Sequence, residues 1–476
     1  MTKRPLLPGG PVAPRLMALA AFVAAIGTAA PARAIPAFAR KYQTSCQTCH
    51  IMFPKLNAFG EAFRLRGYRM PGETAAVVKV PQIPLGAPAY KQLWPKAIWP
   101  GELPSAVPLA VVVKMGDVNS STLNGDGTVT TIHNDFQFPQ ELNVFGAGTL
   151  GDHVSFYGEI TFGNNPDGSV DVALEHADMG FDSPFGPEDA LHIRMGEFNP
   201  NLIDGFSETQ ISTDSAIDSV FNYNPVGVNG GTGLGADGVT PQPISLPTLV
   251  QGIEAYGILH HHALWVAGLA NGASATAGDT TGRFDGNNAK DVWARFDYKI
   301  GGMGFDGYTT KGPSVEPWQD NSLRLGAFVY RGDGNGIDFP GTDPLGNAIA
   351  IQDSHYLRTG LFVSGFIGNL NVFGVYMHGT DTLNLFQQGA GASYSAITPG
   401  YDAWFTQADY LIYPWLQGTF RYETVRPGDR SVPDVRTAVA SGSALIRANV
   451  KLIVEYMRDL QEGRNHSLDA VVRFGF

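Results

Sequence analysis

The sequence predicts a mainly β protein: a transmembrane antiparallel β-barrel of about sixteen strands behind a small N-terminal α-helical domain. Three observations predict it. Glycine is very frequent (58 residues), aromatics reach 11% and charged residues only 16%, a mix that suits strands and turns better than helices. No run of about 18 apolar residues follows the N-terminal region, so no membrane helix is expected. From Val107 onward apolar and polar residues alternate, and the chain ends on an aromatic, Phe476. A mean hydropathy of −0.06 agrees, because a barrel averages lipid-facing and lumen-facing residues.

Taken in order, residues 1–34 read as a secretory leader. Lys3, Arg4 and Arg15 give a basic start, Leu16 to Ala30 is apolar, and Ala32-Arg33-Ala34 has the small-residue pattern of a cleavage site. Removing the leader's four cations, Arg33 included, takes the formal net charge from −12 to −16. An acidic exported chain is a poor nucleic-acid binder, so no nucleic-acid partner is expected.

Residues 35–78 form the next unit. The only two cysteines of the chain lie in Cys46-Gln47-Thr48-Cys49-His50, the spacing of a c-type haem attachment site. Two thioethers would tether one haem c and the His50 imidazole would bind its iron. A thioredoxin-like site needs a βαβ context that is absent, a zinc site needs further cysteines, and a Cys46–Cys49 disulfide leaves His50 unexplained. The second axial ligand is open: Met70 comes first, with His133, His153, Met115 and Lys55 behind it, since a barrel wall could donate it.

Pro54 to Arg66 predicts a short helix, with Pro54 in its first turn and Gly67 past its end. Leu56, Phe59 and Phe63 form its apolar stripe, with Phe38, Tyr42, Phe53 and Tyr68 nearby. About 40 residues build little core alone, so the haem would serve as a staple. From Ile35 to about Gly72, six cations (Arg40, Lys41, Lys55, Arg64, Arg66, Arg69) face one acid, Glu61. A basic unit is attracted to the acidic remainder of the chain and is expected to fold up into the bore.

Residues 79–106 are Pro-rich and read as a linker, with Trp94 and Trp99 suited to a membrane interface. Residues 107–476 are the barrel. In the last strand Leu468, Ala470, Val472, Phe474 and Phe476 share one face, and Asp469, Arg473 and Gly475 the other. Val292, Ala294, Phe296, Tyr298 and Ile300 oppose Asp291, Arg295, Asp297 and Lys299 in the same way. This is the apolar-out, polar-in dyad of an outer-membrane strand. Sixteen strands are expected, at 107–118, 134–148, 153–163, 170–181, 189–198, 247–258, 261–270, 290–300, 322–332, 353–365, 368–378, 400–411, 414–426, 434–446, 449–459 and 465–476. An even count leaves both ends in the periplasm and makes 301–321 a long excursion there. The longest loop, Asn199 to Pro247, carries Asp204, Glu208, Asp214 and Asp218. It reads either as an acidic surface attracting cations or as ordinary solvated turns. His260-His261-His262 reads either as a metal-binding run or, in preference, as a periplasmic turn.

At Ile35-Pro36-Ala37-Phe38-Ala39-Arg40, Ser45 to His50 and Phe53 to Tyr68, the chain resembles the outer-membrane monohaem c-type cytochrome–porin fusion family of iron-oxidising bacteria. The resemblance implies an electron conduit in the bacterial outer membrane. Extracellular Fe(II) would give its electron to the haem in the pore, and a periplasmic soluble cytochrome or copper protein would receive it. Cys46, Cys49 and His50 carry over as attachment and axial residues, and no iron-binding motif does. The sequence itself leaves open outward electron transfer to an external acceptor, and a solute porin with a structural haem.

Overall fold

The computed structural model describes residues 37–74, 77–84, 92–95, 102–105, 107–123, 128–165, 168–203, 211–221, 246, 249–271, 290–310, 316–335, 341–342, 348–387, 392–428, 433–461 and 465–476. The leader, Trp99, Asp204 and Glu208 lie outside them.

Sixteen long antiparallel strands close into one barrel. They are β1 Leu109–Leu123, β2 Val129–Leu150, β3 Val154–Asn164, β4 Val170–Asp182, β5 His192–Phe198, β6 Val250–Leu259, β7 Ala263–Asn271, β8 Lys290–Gly301, β9 Ser322–Asn335, β10 Ala348–Ile367, β11 Leu370–Gln387, β12 Ala392–Tyr413, β13 Leu416–Pro427, β14 Val435–Arg447, β15 Val450–Asp459 and β16 His466–Gly475. Each expected strand is found. Several, β2 and β10 to β12 above all, run further toward the long-loop end, because ladder hydrogen bonding continues past the apolar band. First and last strands close the barrel: β16 pairs with β1, and Val111 and Phe476 exchange backbone hydrogen bonds of 2.8 and 2.9 Å.

Burial runs opposite to that of a soluble protein. On β8, Val292, Phe296, Tyr298 and Ile300 are 47–54% exposed, whereas Asp291, Arg295, Asp297 and Lys299 are at most 8% exposed. On β13, Phe420 is exposed while Gln417, Arg421 and Glu423 are buried. A soluble sandwich would bury the apolar face, so the outer surface is built for hydrocarbon. Closure leaves no strand edge unpaired, the condition for crossing a bilayer with strands.

Among the described residues, the two- and three-residue turns 151–153, 260–262, 368–369, 414–415 and 448–449 lie at one end. The described residues of the expected excursion, 302–310 and 316–321, lie there and add no strand, and His261 packs on Tyr308 at 4.0 Å with Nδ1 2.5 Å from Asp306. Short turns and both ends of the barrel chain mark this as the periplasmic side.

The N-terminal unit sits in the lumen at that same end. Its helices are α1 Ala37–Tyr42 and α2 Ala58–Leu65. The helix expected over 54–66 starts four residues late. Pro54 instead occupies the corner of a small hairpin pairing His50–Met52 with Lys55–Leu56. Asn57 is the cap, its Oδ1 accepting from the Gly60 N–H at 2.8 Å, so the helix starts where that acceptor is available. Gly67 follows the helix with φ +65°, as expected of a residue past the C-terminus.

Ion pairs and hydrogen bonds dock this unit. Lys55, 1% exposed, meets Asp409 of β12 and donates to Asn371 of β11 at 2.6 Å. Arg64 donates to Asn201 at 3.2 Å, Arg66 meets Glu188 and lies 3.4 Å from Asp189, and Arg69 lies 2.8 Å from Asp182. The single acid of the helix, Glu61, faces Arg324 of the wall at 3.5 Å. Tyr68 stacks on Tyr157 of β3 with centroids 6.1 Å apart.

A second segment fills the lumen. Residues 199–203 and 211–221, within the long loop after β5, fold inward rather than lying on the surface. Leu202, Ile203, Ile211, Ile217, Val220 and Phe221 are buried, the last two on the short helix α3 Asp218–Phe221. Arg421 donates to Thr213 and Ser215 at 2.8 Å, and Glu455 accepts from the Asp214 and Ser215 N–H groups at 2.9 and 2.8 Å. Asp214 is therefore neither a cation-attracting surface residue nor a solvated turn: it pairs with Lys114 at 2.9 Å and Arg473 at 3.1 Å inside the barrel. The apolar residues around it draw the loop in, and the luminal cations compensate its charge.

Candidate functional site

Plug and wall leave between them a cavity of about 660 Å³, within the range of cofactor sites. Cys46, Cys49 and His50 all line it. The turn that presents them is fixed locally. Cys46–Thr48 form one turn of 3₁₀ helix, capped by Ser45, and the Asn57 side-chain amide donates to the Thr48 carbonyl at 3.0 Å. The Asn57 N–H bonds the Cys49 carbonyl at 2.9 Å. Gly60 lies against that carbonyl so closely that a Cβ would stand 2.1 Å from the oxygen. Helix α2 and the cysteine turn therefore pack backbone to backbone, which only glycine permits.

His50 Nδ1 lies 2.9 Å from the Pro54 carbonyl. A carbonyl only accepts, so Nδ1 carries the proton and Nε2 is the nitrogen with a free lone pair. Burial lowers the imidazole below its ordinary value of 6.5, which keeps it neutral at pH 7, as a metal ligand must be. Burial also lifts both thiols, Cys49 to about 12 with the neighbouring Cys46 adding to it. Reactive redox thiols are shifted the other way, and the two cysteines are not joined to each other.

The rest of the lining is largely apolar on the plug side, with Phe38, Phe53, Leu56 and Phe63, and more polar on the wall side. Arg64, Arg194 and Arg473 bring guanidinium groups to it. Two thiols, one imidazole, flat apolar walls and fixed cations are the donor set and surroundings that suit a tethered haem with its two carboxylates.

The expected alternatives for a second ligand separate here. Met70 lines the cavity, 7% exposed, and belongs to an aromatic cluster with Tyr42 and Phe63. His133, His153, Met115 and Lys55 are not in the lining. His153 Nδ1 is 3.0 Å from the Asp182 carbonyl, and Lys55 is engaged by Asp409 and Asn371. One lining histidine was missed by the sequence reading, His176 of β4. Alternation along the expected strand puts His176 on the face of Val172 and Leu174, so no local pattern turns it inward. Among the described residues no group of three or more His, Cys, Asp or Glu side chains is placed to hold a metal ion.

The closed wall, the apolar outside and the charged inside together decide the class. The chain is a porin-like outer-membrane β-barrel. No family model matches it, and no curated protein matches it. Among solved structures it is similar to the OmpF of Salmonella typhi in complex with daunomycin, 12% identical with a TM-score of 0.46, over 77% of this chain and 97% of that one. It is also similar to the outer membrane channel DcaP of Acinetobacter baumannii, 15% identical with a TM-score of 0.45, over 78% and 97%. The anion-selective porin from Comamonas acidovorans is 10% identical with a TM-score of 0.42, over 77% and 100%.

Proposed function

We propose that this barrel is an outer-membrane electron conduit carrying one covalent c-type haem. The observation that carries the proposal is the convergence of Cys46, Cys49 and His50 on one cavity between plug and wall. When bound there, a haem supplies a one-electron couple that needs no general acid or base. The chain's own residues do the rest. Cys46 and Cys49 tether, and His50 offers Nε2 while Pro54 holds its ring. Phe38, Phe53, Leu56 and Phe63 keep water from one side of the cavity. The docking pairs of Lys55, Arg64, Arg66 and Arg69 hold the plug at a fixed height in the wall.

The resemblance to cytochrome–porin fusions suggests extracellular Fe(II) as donor and a periplasmic cytochrome or copper protein as acceptor. A haem in the bore lets ferric product form outside the cell. Against a solute porin stand two segments in the lumen, the plug and residues 199–203 with 211–221. Sixteen strands otherwise enclose a wide water-filled bore.

The test is reconstitution of the purified protein in liposomes with Fe(II) added outside. Reduction of the haem, seen as the shift of its absorption, is expected. An unreduced haem sinks the iron reading, and a strongly negative reduction potential points the flow outward. Haem-free protein that passes small sugars or ions freely sinks the conduit altogether.

A further inference from the structure

We infer that the barrel wall supplies the second axial ligand of the haem, through the imidazole of His176 on β4. The inference rests on the covalent haem proposed above.

Three observations converge on His176. The β3–β4 ladder shifts register at this point: Glu159 pairs with His176, but the next pair is Ile160 with Leu174. Glu175 is the extra residue of a β-bulge. In a regular strand consecutive side chains point to opposite faces, yet Glu175 and His176 both line the cavity. Bulges re-aim side chains in this way and recur beside functional sites. Second, His176 is 7% exposed and its Nδ1 is buried with no hydrogen-bond partner. A buried ring nitrogen without a partner carries an uncompensated desolvation cost, which binding of its lone pair would offset. Third, one aromatic ring of the wall separates His176 from the plug. Its ring meets Tyr157 edge-on at 5.1 Å, Tyr157 stacks on Tyr68 at 6.1 Å, and Tyr68 stacks on Phe38 at 5.1 Å.

Met70 shares the cavity, but its burial is already accounted for. It packs with Tyr42 and Phe63, where a thioether is an ordinary gap-filling core group. Wall ligation has a consequence that Met70 ligation lacks. The haem would be tethered by the plug and gripped by the barrel, so complete coordination would require a docked plug. Two imidazoles would also give a lower potential than an imidazole with a thioether.

The experiment uses the full-length, haem-loaded protein in detergent, with barrel assembly checked by heat-modifiable gel mobility. Absorption and electron paramagnetic resonance report spin state, and a redox titration gives the potential. His176→Ala is expected to keep covalent haem at the wild-type ratio but turn the ferric form from low to high spin. Added imidazole should restore low spin. Met70→Leu should leave the spectrum unchanged, and His176→Met should stay six-coordinate with a raised potential. A His176→Ala protein that stays low-spin, or a Met70→Leu protein that turns high-spin, overturns the inference while leaving the haem reading intact. Wild-type protein purified from haem-maturing cells with no covalent haem overturns both. Should His176→Ala fail to assemble, the potential of His176→Met decides, an unchanged value counting against His176.

Discussion

The contact between Lys55 and Asp409 gives the sharpest measure of how the plug is held. Both side chains are almost wholly buried, at 1% and 2% exposure, and they join chain positions 354 residues apart. Removing one partner of a buried pair strands the other charge and costs about 3–5 kcal/mol, whereas replacing both with apolar groups is close to neutral. The two single substitutions differ. In Lys55→Met the Asp409 carboxylate keeps Thr419 at 2.6 Å and Gln407 at 3.0 Å as donors, so the cost falls at the low end. In Asp409→Leu the ammonium keeps only the Asn371 oxygen at 2.6 Å and the Phe366 ring at 5.8 Å, so the cost falls at the high end. Since about 1.4 kcal/mol is tenfold, the undocked fraction should rise by roughly 10² to 10⁴. Hydrogen exchange of the amides between residues 50 and 66, in detergent, reads that fraction directly. The expected order of protection is wild type and double variant together, then Lys55→Met, then Asp409→Leu. Unchanged protection in Asp409→Leu, or a double variant as loose as the worse single one, would refute the reasoning.

Other outcomes follow from single contacts. Burial alone would raise the Glu61 carboxyl, but Arg64, Arg324 and Arg295 around it hold it at about 2 against an ordinary 4.5. Its contribution to docking is therefore full above about pH 4.5 and is lost as pH falls through about 2, so pepsin nicking of the plug should rise across that window and Glu61→Gln should flatten the rise. Gly60→Ala would drive a Cβ into the Cys49 carbonyl oxygen, which cannot move without moving the cysteine turn. A loss of about 1–3 kcal/mol or more in plug stability and a fall in haem per chain are expected, both measurable on the purified protein. In planar bilayers the intact barrel should pass little current, and a variant lacking residues 35–78 should pass more, through the part of the bore that residues 199–203 and 211–221 leave open.

The strands were legible because their signal is local. Asp291 to Ile300 alternates with period two, and that pattern alone sends Arg295 and Asp297 inward and Phe296 and Tyr298 outward. The attachment motif was legible for the same reason, since its spacing lies within five residues. The start of helix α2 was misread because Pro54 is as suited to a turn corner as to a first helical turn, and only the Asn57 bond to Gly60 decides between them. Asp214 of the long loop was misread because it looks like a solvated turn residue. Whether Asp214 meets water or Lys114 and Arg473 depends on where a segment remote in the chain from both partners, 259 residues from Arg473, comes to lie. His176 escaped notice because a bulge is a property of two paired strands, and one strand's sequence does not show which residue its neighbour leaves out.

By itself, then, the sequence determined the barrel, its number of strands, the face each strand turns to lipid, and a haem-type motif ahead of them. Those are consequences of periodicity and spacing along the chain. Only the tertiary structure decided that the motif faces a cavity inside the bore, that part of an acidic loop enters the lumen, and that a wall histidine turns toward the cavity. Those depend on charge pairing and burial between residues far apart in the chain. Closing the barrel brings such residues together, and no local pattern encodes their distance.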